Sequence, residues 1–463
     1  LGPALTIALL LPITFKVDAT SAFILFAGIY YGAMFGGSTT SILLNTPGES
    51  SSIVTAIEGN RMARVGRAGA ALATSAIGSF VAGTLGTLGI VFLAPIVVEW
   101  ALKFGPADYF ALMLLGLTGA VVLARGSVIK AVGMVLLGLA LGLVGTDINS
   151  GIQRYTFGVP VLADGIGFVP IALGMLGVAE IISNLEATAG KSAAMSKIGR
   201  LWLSWAEFVQ AFPAMLRGTG LGAILGILPG GGALLASFAA YTVEKKIARR
   251  PERFGKGAIE GVAGPESANN AGAQTSFIPM LTLGIPSNGI MALMMGAMMI
   301  QGIAPGPQVM NERPQLFWGL IASMWVGNVM LVILNMPMIG LWVSLLKVPY
   351  RILYPCILVF CVIGVYSINN NAFDAILTAI FGLLGYIWVK TEAEPAPMLL
   401  GYILGPLMEE NLRRAMLLAR GDFFVFFQRP ISATLLVVAI LLLAFVLLPN
   451  IRKKREEAFE GDD

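Results

Sequence analysis

The stretch GGSTTSILLNTPGES, from Gly36 to Ser50, places hydroxyl-bearing residues and a helix breaker at the end of a long apolar segment. Residues 19–48 carry no charged side chain, and a helix needs about 20 apolar residues to cross a bilayer. Pro47 removes an amide donor and obstructs a helix, while Gly48 frees the backbone. We therefore expect a helix that breaks inside a membrane, where the freed backbone groups must be buried in protein or line a wet cavity.

The composition indicates a membrane protein along the whole chain. Of the 463 residues, 57% are hydrophobic and 12% are charged, against about 25% charged residues in an ordinary soluble domain. Further uncharged runs are long enough to cross a bilayer, namely 68–98, 316–346, 352–373 and 431–450. We predict an all-α polytopic membrane protein with roughly ten to thirteen transmembrane or half-spanning helices.

The residue types that are missing or rare exclude several functions. The chain has no histidine, which excludes Ser-His and Cys-His catalysis and histidine proton relays. Its two cysteines, Cys356 and Cys361, share one apolar run at a helical spacing that suits packing better than a disulfide. The net charge of +4 does not indicate a nucleic-acid partner, because the basic residues stand in short loops beside apolar runs.

One structural element occurs twice in the sequence. Each copy has a glycine turn, an apolar helix, a short polar stretch, a proline break and another apolar helix. The first break is NTPGES (45–50), and the second is GIPSN, Gly284 to Asn288. The stretch GILPGGGA (226–233) lacks the GK[ST] ending of a phosphate loop. In its apolar context we interpret it as the tip of a re-entrant hairpin.

The loop charges predict that the two copies have opposite orientations. The loop 16–18 is weakly charged, but its counterpart 244–256 is strongly basic. The loop 61–67 is basic, but its counterpart 302–308 carries no charge. Because basic loops face the cytoplasm, we predict two inverted repeats with broken helices, an arrangement typical of secondary transporters.

These patterns divide the chain into three parts. We assign residues 1–200 to the first inverted repeat and residues 201–410 to the second. Residues 411–463 form an amphipathic segment, a last transmembrane helix and a charged tail. The orientation of this last part stays open, because the run 431–450 separates basic clusters that would favour the same side of the membrane.

The two breaks carry the predicted binding residues. Half-helix N-termini suit a carboxylate, and freed carbonyls with hydroxyl and amide oxygens suit Na⁺. The predicted substrate-binding residues are Ser38, Thr39, Thr40, Asn45, Thr46, Pro47, Gly48, Asn269, Asn270, Pro286, Ser287 and Asn288. The predicted Na⁺ ligands are Ser41, Asn45, Gln274, Thr275 and Ser276. The alternative for the hydroxyls is structural, since Ser and Thr in membrane helices often bond to the carbonyl four residues earlier.

Three carboxylates near the breaks are predicted to take part in proton coupling. Glu49 and Glu58 flank the first break on its C-terminal side, and Glu266 precedes the Asn269–Asn270 pair. An acid inside a membrane is costly and commonly functional. The alternative is that each is a helix-terminal or interfacial charge.

Several motifs together carry a family resemblance. They are YYGAMFGGSTTSILLNTPGE (30–49), AIEGNRMARVGRAGAAL (56–72), GILPGGG (226–232), GPESANNAGAQTSFIPMLTLGIP (264–286), QGIAPGP (301–307) and EENLRRA (409–415). The chain resembles, along nearly its whole length, the large membrane subunit of the tripartite tricarboxylate transporters, the TctA family. Such proteins begin with a further glycine-rich stretch, whereas this sequence begins LGP, so we expect part of the first re-entrant hairpin to be missing from it.

The resemblance implies a three-part uptake system in a bacterial inner membrane. A periplasmic solute-binding protein, similar to TctC, would deliver an organic carboxylate to this multi-pass permease, which a small membrane subunit similar to TctB would accompany. Uptake would be driven by Na⁺ or H⁺ with no further cofactor, through an elevator-like movement. Citrate, other di- and tricarboxylates and aromatic acids are substrates that the resemblance allows. The oligomeric state stays open, a homo-oligomer being one alternative.

Two other functions compete with a symporter. A membrane-embedded enzyme would need a convergent acid–base set, and without histidine only scattered carboxylates remain. A passive anion channel would not need paired broken helices of opposite orientation. Dependence of uptake on an ion gradient separates the symporter from both.

We predict that the breaks and the amide pair are essential for transport. Asn270→Ala, or Pro47→Ala combined with Gly48→Ala, should abolish carboxylate uptake, because each removes a polar group or a backbone break that the site requires. Uptake of radiolabelled citrate is the measurement, and membrane insertion of each variant is the control. Near-normal uptake by both variants would contradict the site assignment.

Overall fold

The chain forms an all-α membrane fold, as predicted. The computed structural model describes residues 2–14, 16–124, 127–147, 149–188, 198–228, 232–345 and 350–447. The first helices are α1 (Pro3–Thr14), α2 (Ala19–Leu44), α3 (Ile53–Met62), α4 (Ala68–Ala101), α5 (Pro106–Leu123), α6 (Val128–Gly142), α7 (Phe168–Ala172) and α8 (Ala179–Thr188). The next are α9 (Trp205–Ile227), α10 (Gly232–Ile247), α11 (Glu260–Thr275), α12 (Phe277–Leu283), α13 (Gly289–Ile300), α14 (Gln308–Glu312), α15 (Pro314–Asn335) and α16 (Ile339–Leu345). The last are α17 (Tyr350–Asn369), α18 (Ala372–Lys390), α19 (Ala396–Leu418), α20 (Val425–Gln428) and α21 (Pro430–Leu447).

Other regular structure is short. An antiparallel pair, β1 (Gly145–Thr146) and β2 (Gln153–Arg154), follows α6. The 3₁₀ and π turns are Ser50–Ser52, Ala63–Arg67, Pro160–Asp164, Leu173–Val178 and Pro251–Arg253.

Several helical segments have the length and composition to cross a membrane. The long ones are Ala19–Leu44, Ser50–Ala101, Pro106–Leu123, Pro314–Asn335 and Ala372–Lys390. Shorter apolar helices are Val128–Gly142, Phe168–Ser183, Gly289–Ile300, Tyr354–Asn369 and Pro430–Val446. The segment Ser50–Ala101 bends at Gly66, whose φ is 80°. The chain is therefore a multi-pass membrane protein.

Both predicted breaks are confirmed. After α2, Asn45 adopts a left-handed conformation with φ 54° and donates its N–H to the Thr40 carbonyl. After α12, Gly284 is left-handed with φ 69°, and Asn288 begins α13. Left-handed residues commonly end helices, and glycine and asparagine adopt this conformation most readily. The opposite orientation of the two copies, and the division of the chain at residue 200, stay predictions.

Helix α11 occupies the centre of the fold. Every residue from Gly261 to Thr275 is buried, and α3, α4, α9 and α10 pack around it. Gly218 and Gly222 on α9 face α11 so closely that an added Cβ would lie 2.1 Å and 2.2 Å from backbone oxygens of α11. Small residues at a spacing of four allow membrane helices to approach to this distance.

The predicted re-entrant hairpin is described only in part. Helices α9 and α10 pack against each other and against α11. The tip residues 229–231 lie outside the described residues. The assignment of this tip as re-entrant therefore stays a prediction.

The C-terminal part is attached by ion pairs whose aspartates are buried and whose arginines are partly exposed. The Asp108 carboxylate accepts hydrogen bonds from the Arg429 guanidinium at 2.6 Å and from the Ser432 N–H at 3.0 Å, which joins α5 to α21. Arg413 on α19 pairs with Asp147, in the loop after α6, at 2.8 Å. This guanidinium holds the pKa of Asp147 well below its usual range.

Two details of the fold were not predicted. The run 316–346 is divided at Pro337, between α15 and α16, because proline lacks the N–H that would continue the helix and its ring obstructs the preceding turn. The predicted boundary at residue 410 falls inside α19. The basic cluster 452–455 lies outside the described residues.

We predict that the approach of α9 to α11 cannot accept a methyl group. Gly222→Ala should lower the free energy of unfolding by about 1–3 kcal/mol, because the helices must separate. Gly220→Ala is the matched control on the same helix, since an added Cβ there has no neighbour within 4 Å. The control should be neutral or stabilising, because alanine favours a helix over glycine by about 1 kcal/mol. Thermal unfolding of both variants in detergent tests this, and equal melting temperatures would contradict it.

Candidate functional site

The helix breaks meet at a cavity of about 500 Å³. The first break contributes Pro47, Gly48 and Glu49, and the second contributes Asn288 and Gly289. This volume is within the range of small-molecule sites. Two parts of the chain separated by more than 200 residues therefore line one cavity.

Four α-helices begin at the cavity wall. They are α1, α10, α13 and α19, which start at Pro3, Gly232, Gly289 and Ala396. The first turn of a helix presents N–H groups without intrahelical partners and a partial positive charge. No side chain caps the first turn of α19. The cavity therefore has the electrostatic character that suits a carboxylate.

Acidic side chains also line the cavity. Glu49, Glu180 and Glu394 contribute to its wall, and each is half-buried. No lysine or arginine occurs among the described residues that line it, while Arg125, beside the lining residue Ala124, lies outside the described part. Ionised Glu49 and Glu180 would repel an anion in this cavity.

The first break folds back against its own helix. The Gly48 N–H donates to the Gly37 carbonyl at 3.3 Å, and an added Cβ on Gly48 would lie 2.6 Å from the Gly37 Cα. Glu49 caps the turn that follows, since its carboxylate accepts from the Ser51 N–H at 2.7 Å. Glycine at position 48 is thus required by close approach of the backbone.

An asparagine on α11 connects the two broken segments. The Ser51 hydroxyl donates to Asn269 Oδ1 at 2.7 Å. Asn269 Nδ2 donates to Glu49 Oε1 at 3.2 Å and to the Met34 carbonyl at 3.3 Å. Asn269 therefore fixes the cavity residue Glu49 from behind the wall.

The neighbouring asparagine has different partners. Asn270 Nδ2 donates to Ser79 Oγ at 2.8 Å and to the Glu266 carbonyl at 3.0 Å. The Thr55 hydroxyl donates to Glu266 Oε2 at 2.6 Å. The consecutive amides of Asn269 and Asn270 thus contact two different carboxyl groups, one at the cavity and one fully buried.

Asn288 caps the helix that follows the second break. Its Oδ1 accepts from the N–H groups of Ile290 and Met291, which caps α13, and its Nδ2 donates to the Tyr30 hydroxyl at 3.1 Å. Tyr30 is fully buried and lines the cavity.

The predicted site residues divide into those at the cavity and those elsewhere. Pro47, Gly48, Glu49 and Asn288 line it. The predicted residues that are not among its lining residues are Ser38, Thr39, Thr40, Ser41, Asn45, Thr46, Glu58, Glu266, Asn269, Asn270, Gln274, Thr275, Ser276, Pro286 and Ser287. Asn45 and Thr46 are exposed, whereas Pro286 and Ser287 are buried. Their roles in binding stay predictions.

Several predicted hydroxyl ligands bond to backbone carbonyls. Thr40 and Ser41 donate to the Gly37 carbonyl, and Ser276 donates to the Gly272 carbonyl at 2.6 Å. Thr275 donates to the Ala271 carbonyl at 3.1 Å. These bonds support the structural alternative for the hydroxyls without testing whether Na⁺ binds.

Glu58 holds a loop. Its buried carboxylate accepts from the Tyr241 hydroxyl and from the N–H groups of Gly255, Gly257 and Ala258. This loop connects α10 to α11. Glu58 therefore stabilises this loop and does not line the cavity. Its role in proton coupling stays a prediction.

The sequence reasoning missed Tyr30, Glu180 and Glu394. Glu180 could have been found, because an acid that directly follows the uncharged run 165–179 is an unusual residue for a membrane segment. Tyr30 and Glu394 carry no such signal, since tertiary packing alone brings them to the wall.

Broken helices whose ends meet at a cavity are typical of secondary transporters. The chain matches the model of the tripartite tricarboxylate transporter TctA family over residues 1–400 and belongs to that family. The resemblance predicted from the motifs is confirmed. The chain is therefore the large subunit of a tripartite tricarboxylate transporter, a class of system that in general also contains TctB and TctC proteins.

Two relatives come from Agrobacterium vitis. One, described as an uncharacterized 52.8 kDa protein in the TAR-I ttuC' 3' region, is 56% identical over 463 residues, which is 100% of this chain and 92% of the relative. The other, described as an uncharacterized protein in the TAR-II ttuC' 3' region, is 59% identical over 242 residues, 52% of this chain and 100% of the relative. No solved structure matches the chain significantly.

We predict that Asn288 has a role beyond capping its helix. Asn288→Ala should cost about 1 kcal/mol of stability through the lost cap and should also strongly reduce tricarboxylate uptake, because it disturbs the wall with Tyr30. Asn371→Ala is the matched control, since Asn371 caps α18 and does not line the cavity. Thermal unfolding and uptake are measured for both. A similar loss of uptake in the two variants would contradict the prediction.

Proposed function

We propose that this chain is the permease of a binding-protein-dependent symporter that imports organic carboxylates, of which citrate is the reference substrate, together with Na⁺ or H⁺. The observation that carries the proposal is the cavity between the two breaks. Four helix N-termini at its wall favour the carboxylates of a substrate. The chain's membership of a tricarboxylate transporter family supports the substrate class.

The charges at the cavity support symport over simple binding. Glu49 and Glu180 line the same cavity as the helix N-termini. A di- or tricarboxylate would therefore enter a site that is already acidic, and its binding is favourable only if cations or protons enter with it. This requirement couples the substrate to an ion, which is the condition for accumulation against a gradient.

We also propose that this permease works in a bacterial inner membrane with two partners. They are a small membrane subunit similar to TctB and a periplasmic solute-binding protein similar to TctC. Family membership supports these partners. An elevator-like movement would carry the two breaks, and the cavity between them, across the membrane as one unit.

We predict that citrate accumulates only when an inward cation gradient is present. Proteoliposomes would contain the permease with its small subunit and binding protein, and radiolabelled citrate uptake would be compared under a Na⁺ gradient, a pH gradient and neither. Accumulation above equilibrium requires the coupled gradient, because the cavity binds the anion only with its cations.

The same assay separates the alternatives. A passive anion channel would equilibrate citrate without accumulation, and a membrane enzyme would convert it chemically, which analysis of the recovered label detects. Either result would overturn the symporter. Absence of uptake under every gradient, for citrate and for a panel of other di-, tri- and aromatic carboxylates, would do the same.

A further inference from the structure

The carboxyl group of Glu266 is buried in the centre of the fold. It lies on α11 with 0% of the residue exposed. Its bonded partners are the Thr55 hydroxyl at 2.6 Å and the Asn270 amide at 3.4 Å. Among the described residues, no salt bridge includes Glu266. A lone carboxylate in a membrane interior is costly unless it binds a proton or a cation.

The donor arrangement favours a proton over a metal ion. Asn270 turns its NH₂ group, and not its oxygen, toward Glu266, because Nδ2 bonds both the Glu266 carbonyl and Ser79 Oγ. Hard cations in proteins are surrounded by oxygen ligands. An amide donor against the carboxyl group disfavours a cation at that position, which leaves a proton as the species that can neutralise this buried acid.

Of the ionisable groups around α11, Glu49 is the one that connects Glu266 to the cavity. Glu49 is bound to α11 through Asn269, whose Nδ2 donates to Glu49 Oε1 at 3.2 Å. The buried and half-buried titratable groups on or beside the packed helices have partners of their own: Glu58 with Tyr241, Glu244 with Arg217, Arg67 with Glu207, Tyr30 with Asn288, Tyr31 with the Ser323 carbonyl, and Glu260 with Gln210. Arg61, Glu99, Lys245 and Lys246 on these helices are exposed.

A short chain of contacts joins the buried acid to the cavity. Glu266 contacts Asn270, the adjacent Asn269 donates to Glu49, and Glu49 lines the cavity. A substrate carboxylate beside Glu49 adds negative charge to this group. Repulsion between like charges then makes an ionised Glu266 less favourable and a protonated one more favourable.

We propose that the carboxyl group of Glu266 binds the proton that is transported with the substrate. This inference rests on the proposed function and assigns H⁺ as a coupling ion at a residue outside the substrate cavity. With the proton bound, the acid is neutral and the substrate anion is tolerated. Without it, Glu266 and the substrate would be two uncompensated negative charges, so substrate binds only together with the proton.

The Thr55 bond gives the proton a structural effect. Thr55 lies on α3, directly after the first break, and Glu266 lies on α11, before the second. Gain or loss of the proton changes the hydrogen bond between these two segments. The protonation of Glu266 is thereby linked to the packing of the two broken segments.

The test compares driven accumulation with exchange. In proteoliposomes with all three proteins and a pH gradient of one unit, each coupled proton supports about tenfold accumulation of citrate. Glu266→Gln, which imitates the protonated acid, should reduce the accumulation ratio to about one. Exchange of labelled for unlabelled citrate at equal pH needs no release of the proton, so it should stay within about threefold of the wild type.

Controls keep the result interpretable. Glu260→Gln is the same change at the start of the same helix and should leave both readouts as in the wild type. Glu266→Asp keeps a titratable group and covers the case in which Glu266→Gln does not insert. Accumulation in Glu266→Asp should remain driven by the pH gradient.

Distinct outcomes overturn the inference and the proposed function. If Glu266→Gln still accumulates citrate with a pH gradient, or loses exchange as well as accumulation, Glu266 does not carry the proton. Wild-type accumulation driven by Na⁺ alone overturns the inference and leaves the symporter standing. A wild-type protein that neither exchanges nor accumulates any of the tested carboxylates overturns the symporter itself.

Discussion

Backbone N–H and C=O groups inside a bilayer must find partners within the protein, and the structure depends on how this requirement is met at two broken helices. The first break satisfies it by folding back, with the Gly48 N–H on the Gly37 carbonyl. The second uses the Asn288 side chain to cap α13. Each solution leaves a helix end at the cavity wall. The cavity thus forms where the two broken helices satisfy their backbone groups within the protein and end at a common wall.

Close packing around α11 makes this arrangement possible. Gly218 and Gly222 bring α9 to backbone contact, and the whole helix from Gly261 is buried. A central helix without contact to lipid can carry polar side chains that would be costly elsewhere. Asn269 and Asn270 are therefore satisfied by the first broken segment and α4. The same contacts connect the two parts of the chain that form the cavity.

Charge has a different role at the centre and at the C-terminal end. In the centre, Glu49 and Glu266 have hydroxyl and amide partners, and no salt bridge among the described residues includes either of them. At the C-terminal end, Arg413 is paired with Asp147 and Arg429 with Asp108. These two pairs attach the C-terminal part to the loop after α6 and to α5.

The sequence by itself determined the membrane class, both breaks and the family. Uncharged runs fix which segments can cross a bilayer, and proline and glycine end a helix at their own position. It also indicated four cavity residues, Pro47, Gly48, Glu49 and Asn288, which lie at those breaks. Only the tertiary structure decided that Tyr30, Glu180 and Glu394 share the cavity and that Glu58 holds a loop. These positions depend on packing between distant helices. Their contacts join residues far apart in the chain, and a local sequence pattern does not show which helices pack against each other.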